Sequence, residues 1–316
     1  MKPRLLNLFR IRMLLYGLQR PVRSPLFVPF IKLTSLTTVA LIAFAANSVL
    51  GRMALAEADI DPGNFTLLRL ISGALSLILI SLLVQREPLT HIVRSGKWPT
   101  SMALLVYAVA FSYGYVSLDT ATGALILFTA VQLTMHFVSY LKGQRFSAME
   151  GAGLATAFTG FLILIIPNLQ LGATMLGVCL MSLSGIAWGA YTLLGKDAVK
   201  PTLLTTGNFI RAAILALPLL FVSLPFEEVS QQGILLAIAS GTLASGGGYA
   251  LWYLVLPKLS TSQAAVAQLL VPALAAFGGV IFVNDTLSTI LIMSLLVIIS
   301  GILMVIAAKP NNSKRP

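Results

Sequence analysis

Runs of about twenty apolar residues, separated by short polar connections, recur along the whole chain and leave it few ways to fold. A run of that length, rising about 1.5 Å per residue, spans the hydrocarbon of a bilayer as a helix, which satisfies its own backbone hydrogen bonds there. Reading each run by its flanking charges and prolines places segments at 33–55, 65–84, 100–118, 122–142 and 148–167. A second five follow at 173–195, 202–224, 233–256, 262–283 and 286–308. Only 10% of the residues are charged, against roughly 25% in a soluble domain, so 316 residues leave no room for a large soluble part. The expectation is an all-α integral membrane protein of ten transmembrane helices, with the lipid bilayer as its main surroundings.

The net charge of +11 is a topology signal rather than a nucleic-acid footprint, because the basic residues gather in alternate connections. All but three of the 21 Lys and Arg lie in the N-terminal stretch, in the even-numbered connections or in the tail; the three are Arg52, Arg69 and Arg211. Most of the acids, among them Asp61, Asp119, Glu228 and Asp285, fall in the other connections or at helix ends on that side. Both termini are therefore expected in the cytoplasm, with the chain in the inner or plasma membrane. Residues 1–32 read as a basic amphipathic extension held at the membrane surface, with initiation at Met13 or later as the alternative. Residues 309–316 read as a cytoplasmic tail.

The second half repeats the first. AFAANSVLGRMA (43–54) lies over AWGAYTLLGKDA (187–198) at an offset of 144, pairing Phe44 with Trp188 and Asn47 with Tyr191. GNFTLLR and GNFIR bring Arg69 over Arg211 at an offset of 142. TGFLILI (159–165) lies over SGILMVI (300–306) at 141, a match that composition alone accounts for. Five helices per copy is an odd number, so the second copy inserts upside down, the architecture of many secondary transporters. The repeats are placed at 33–167 and 173–308.

These motifs resemble the drug/metabolite transporter superfamily, and within it the EamA-type ten-helix exporters, over residues 33–308. The family's first-helix pattern of tryptophan, glycine and a later lysine is followed by AWGAYTLLGK, and by AFAANSVLGR with Phe44 in place of Trp. Arg69 stands where the family carries an early arginine in its second helix, and Pro272 where it carries a fourth-helix proline. The chain departs at Gln144 and Asp285, where the family usually has Glu, and at Val131, which replaces a proline. The resemblance implies a secondary transporter, an exporter of small metabolites or drugs working by alternating access, with amino-acid-like or other anionic or zwitterionic solutes as the leading class. A channel or a structural membrane protein is the alternative.

The resemblance also implies that first and fourth helices line the pathway, which nominates Asn47, Trp188, Tyr191, Gln132 and Gln268 as substrate-binding candidates. Each amide is equally explained by a hydrogen bond to a neighbouring helix. A charge at the bilayer centre costs about 2.5 to 3.5 kcal/mol on insertion scales. Arg69 lies near the start of its segment and is expected to snorkel outward or face a cavity; Arg211, read as deeper, is expected to face a cavity and hold a carboxylate or phosphate. His136 is a candidate for proton coupling or a packed neutral histidine. Gly246, Gly247, Gly248 and Pro272 are candidate hinges, with close helix packing as the other account of the glycines.

Enzyme chemistry finds no foothold. Ser245 in LASGGG lacks the GxSG context and no histidine follows it, and neither His91 nor His136 begins a His-x4-Asp motif. Two histidines and the single Cys179 supply no metal cluster, and no cofactor-binding motif is present. The expected partners are a small-molecule substrate and lipid, with a second copy of the chain admissible and nucleic acid not expected.

Overall fold

The computed structural model describes residues 30–56, 60–141, 143, 147–170, 175–195, 198–225, 228–259, 264, 267, 268 and 270–308. The N-terminal extension up to residue 29, the tail from 309, Gln144 and the basic residues Lys142, Arg145 and Lys196 lie outside them. The chain divides into two units, Met1–Ser35 and Leu36–Pro316. Of the first, only the helical start at residues 30–35 is described.

The described residues are helical almost throughout. The first half comprises α1 (Phe30–Ala56), α2 (Pro62–Leu83), a short helix Leu89–Arg94, α3 (Trp98–Tyr115), α4 (Thr120–Leu141) and α5 (Ala148–Gln170). The second comprises α6 (Met175–Gly195), α7 (Pro201–Phe221, whose last turn is 3-10), α8 (Gln231–Lys258), α9 (Leu270–Phe282) and α10 (Thr289–Ala307). These helices fall on the ten expected segments. Six of them are long and apolar enough to cross a membrane: Leu33–Ala56 within α1, then α2, α4, α6, α7 and α8.

Local chemistry sets the boundaries. Pro62 and Pro201 open α2 and α7 where a missing N–H is harmless. Asp61 caps α2 by accepting from the backbone N–H of Gly63 and Asn64 at 3.0 and 3.1 Å. Ser147 and Glu150 form a reciprocal capping box at the start of α5. α8 changes character at Ser240–Gly247, where small residues adopt a π-helix between two α-helical turns.

The bundle turns apolar side chains outward as well as inward. Leu75, Leu79, Phe277, Phe282 and Leu296 are more than half exposed, whereas Asn47, Asn64, Arg69, Gln132, Asn208 and Gln268 are buried within the apolar core. An outer surface of Leu and Phe suits a hydrocarbon solvent, and the buried polar groups are shielded from it.

Equivalent helices of the two halves meet in antiparallel pairs. α5 packs on α10 with Gly153 beside Val305 and Gly160 beside Ile298. A methyl group at Gly160 would strike the backbone at Ile298 and Ser294, and one at Gly301 the backbone at Ala157 and Gly153. Each of these second-half residues lies 141 positions after its first-half counterpart, so the contact is exchanged into itself. α2 and α7 behave likewise. Ser81, near the end of α2, hydrogen-bonds Thr206, near the start of α7, at 2.9 Å, while Asn64 at the start of α2 donates to the Leu224 carbonyl beyond the end of α7 at 2.8 Å. At α4 and α9 the Thr120 N–H donates to the Asp285 carboxylate at 2.9 Å.

Candidate functional site

Where α1, α3, α6 and α8 meet, aromatic rings close around a small chamber. Phe44 stands edge-on to Trp188, Tyr249 and Trp252 with centroids 5.6 to 5.7 Å away, and Trp188 packs on Tyr107 at 5.1 Å and on Tyr249 at 4.8 Å. Asn47, Ser48 and Phe111 complete the polar and aromatic wall, and Leu127 and Phe128 of α4 close it. The space left is about 10 Å³, room for a single water. Edge-to-face packing of this kind holds the rings without requiring a hydrogen bond from each.

Arg69 stands directly behind that wall. Its side chain is 1% exposed, its Cζ lies 4.6 Å from the centre of the Phe111 ring and 5.1 Å from that of Tyr107, and both contacts are cation–π. Nη2 donates to the Tyr107 hydroxyl at 2.8 Å and Nε to the Ser245 hydroxyl at 3.0 Å. Nη1 has no hydrogen-bond partner among the described residues. No ion pair to Arg69 is present among them, so a full positive charge is held by hydroxyls and ring faces alone. Asn47 joins the same network, donating to the Tyr107 hydroxyl at 3.0 Å and accepting from Ser240 at 2.6 Å. Both serines belong to the π-helical stretch of α8, which presents them to α1 and α2.

The snorkelling expected of Arg69 and the depth expected of Arg211 are exchanged in the structure. Arg211 is half-buried at the edge of the bundle, on the connection between α2 and α3. Its guanidinium donates to the carbonyls of Ser95, Gly207 and Arg94 and stacks 5.5 Å from the centre of the Trp98 ring. The reason is the tight seat of that connection. Gly96, at φ +87°, lies backbone to backbone on Gly207, and a side chain at either would collide with the other strand of chain. Asn208 holds the same connection by accepting from the Lys97 N–H at 2.9 Å.

Of the other expected site residues, Asn47 and Trp188 line the chamber. Tyr191 stacks on Trp188 at 5.4 Å. Gln268 lies behind Trp188 and accepts from its indole N–H at 3.3 Å, while its own amide donates to the Ala264 carbonyl. Gln132 is buried one turn beyond Phe128, outside the chamber. His136 donates to the Gln132 carbonyl at 2.8 Å and borders a separate apolar cleft between α4, α5 and α6. Gly246 and Gly247 lie in the π-helical stretch and Gly248 follows it, packed against Ala43; Pro272 is buried at the start of α9. Sequence reading missed Tyr107, Phe111, Ser240, Tyr249 and Tyr253. The offset of 142 pairs four of them, since it lays Tyr107 on Tyr249 and Phe111 on Tyr253.

Comparison with known proteins identifies the family. The EamA-like transporter family matches residues 175–307. An uncharacterized protein of Pseudomonas aeruginosa is 42% identical over 89% of this chain and 96% of its own length. The chain belongs to the EamA-like transporter family. The uncharacterized transporter YoaV of Bacillus subtilis is 26% identical over 78% of this chain and 87% of its own. A protein of Salmonella typhimurium named as a probable amino-acid metabolite efflux pump is 23% identical over 68% of this chain and 79% of its own. The fold recurs in a solved crystal structure that covers 86% of this chain and 97% of its own, with a TM-score of 0.65 at 18% identity. This transporter is a multi-pass membrane protein of the drug/metabolite transporter superfamily.

Proposed function

We propose that this chain is a secondary transporter that exports a small anionic or zwitterionic metabolite by alternating access, with the solute's negative group drawn to Arg69. The ten helices are read as ten spans in two inverted five-helix repeats, 33–167 and 173–308. The antiparallel pairing of α2 with α7 and α5 with α10 supports that reading, because equivalent helices of inverted copies run in opposite senses. The gathering of basic residues in alternate connections supports a cytoplasmic position for both termini.

The observation that carries the solute class is the buried Arg69 with Nη1 left open beside a chamber of rings. A carboxylate there would supply the charge-assisted hydrogen bond that the protein does not. An amino-acid metabolite, the solute named for the Salmonella relative, has such a group. Asn47 and Trp188 contact the solute in the chamber. Tyr191, Gln132 and Gln268 support it from behind, and His136 is left as the group for proton coupling. Gly246 to Gly248 and Pro272 supply the bends that open the chamber.

The test is counterflow in proteoliposomes with a panel of labelled amino acids and small carboxylates. Saturable exchange that disappears in Arg69→Ala is the expected result. Exchange by Arg69→Ala at the native rate removes the anionic-group reading, and conductance far above carrier turnover makes the protein a channel.

A further inference from the structure

Three tyrosine hydroxyls in the second half are buried without a well-formed hydrogen bond, their polar neighbours being Thr205, Asn208, Tyr107 and one another. Tyr191, Tyr249 and Tyr253 are each at most 2% exposed, and none of their hydroxyl oxygens has a hydrogen-bond partner among the described residues. Buried hydroxyls in native proteins are rarely left so, and three together call for an occupant. They form a row. Tyr249 lines the chamber, its ring lies 6.4 Å from that of Tyr191, and Tyr191 lies 6.0 Å from Tyr253.

The row ends at the surface. Tyr253 forms the floor of a cleft of about 370 Å³ whose rim carries Lys200, Lys258 and Glu87. Lys200 donates to Glu87 at 2.6 Å, which holds that carboxyl below its ordinary range, and Lys258 is left as the cleft's surplus charge. Gly195 allows the Tyr253 ring to lie flat on α6, since a methyl group there would meet its hydroxyl. In the first half the position matching Tyr253 is Phe111, which lies against Arg69, so this row is particular to the second half.

We propose that the solute reaches the chamber from the Lys200 and Lys258 end along the hydroxyls of Tyr253, Tyr191 and Tyr249, and that Tyr253 is the door of this route. The chemistry suits an anion, drawn in by lysine and passed between hydroxyl donors before it meets Arg69. The inference rests on the transport reading above, and its test needs no knowledge of the solute.

Tyr253→Cys, Tyr191→Cys and Tyr249→Cys are made in a Cys179→Ser background and reconstituted in vesicles, each accepted only if it elutes as a single folded species. Val199→Cys, at a residue 97% exposed beside Lys200, marks the face. Two impermeant methanethiosulfonates are used, one with a sulfonate and one with a trimethylammonium group. Expected is modification from the marked face, fastest at Tyr253→Cys, with the sulfonate about tenfold faster than the cation. Any one folded variant that reacts only from the opposite face, or not at all where Val199→Cys reacts, overturns the route, as does a cation that reacts as fast as the sulfonate. Because the three positions are read separately, a variant that fails to fold leaves the others to decide. Failure here with Arg69→Ala still inactive leaves the transport reading standing, whereas labelling with Arg69→Ala fully active removes that reading alone.

Discussion

Arg69 and Arg211 occupy matching positions in the second helix of each half, yet one is sealed behind aromatic rings and the other is spread over the carbonyls of a connection. What surrounds them differs accordingly. Around Arg69 the first half supplies Asn47, Tyr107 and Phe111, while the second half places Tyr191, Tyr249 and Tyr253 at the matching sites and keeps its arginine away. On the proposed reading, a duplicated scaffold thus carries a cation in one half and a row of hydroxyls in the other. The likeness of the two backbones would then serve the movement, and the difference in their side chains the solute.

That contrast can be broken most sharply at Arg69. Arg69→Ala should reduce counterflow at least about tenfold, one such factor being 1.4 kcal/mol of lost interaction, and Arg69→Lys should restore only part of it because ammonium lacks the planar fork. Arg211→Ala should leave counterflow within about twofold of native while destabilising the fold by about 1 to 3 kcal/mol, the cost of stripping carbonyls of their donors. Thermal unfolding in detergent together with counterflow separates the two arginines; equal loss of transport in both would erase the distinction.

The shared scaffold is tested at the helix pair that exchanges into itself. Gly160→Leu and Gly301→Leu should lower stability by similar amounts, about 1 to 3 kcal/mol each by overpacking, since both press on equivalent backbone. Markedly unequal effects on unfolding temperature would deny the equivalence of the halves. The smallest effect is expected at Glu87→Gln. Glu87 titrates below its ordinary value in the folded protein, so its contribution is present above that ordinary value and fades as pH falls through the lowered one. The melting difference between native protein and Glu87→Gln should therefore vanish in acid and be unchanged between neutral and mildly alkaline pH.

Much of the fold was legible because apolar length and charge placement are one-dimensional signals. The runs placed at 65–84 and 202–224 begin within three residues of the observed helix starts at Pro62 and Pro201. The site was legible only in part. Asn47 and Trp188 were nominated through the family resemblance and lie at the chamber, but nothing in sequence told which face of a uniformly apolar helix looks inward, because lipid and core ask for the same residues. Hence Arg69 was read as shallow from its distance to a helix end, when Tyr107 and Ser245 from α3 and α8 hold it inside. Those partners lie 38 and 176 residues away, beyond any local pattern. The match of Gly160 with Gly301, too common in composition to weigh by itself, gained its meaning only from the contact it makes.

The chamber of about 10 Å³ also sets what must happen before anything larger than water can occupy it. Room for one water is far less than an amino acid needs, so on the proposed reading Phe44, Trp188 and Tyr249 have to part before a metabolite can lie between them.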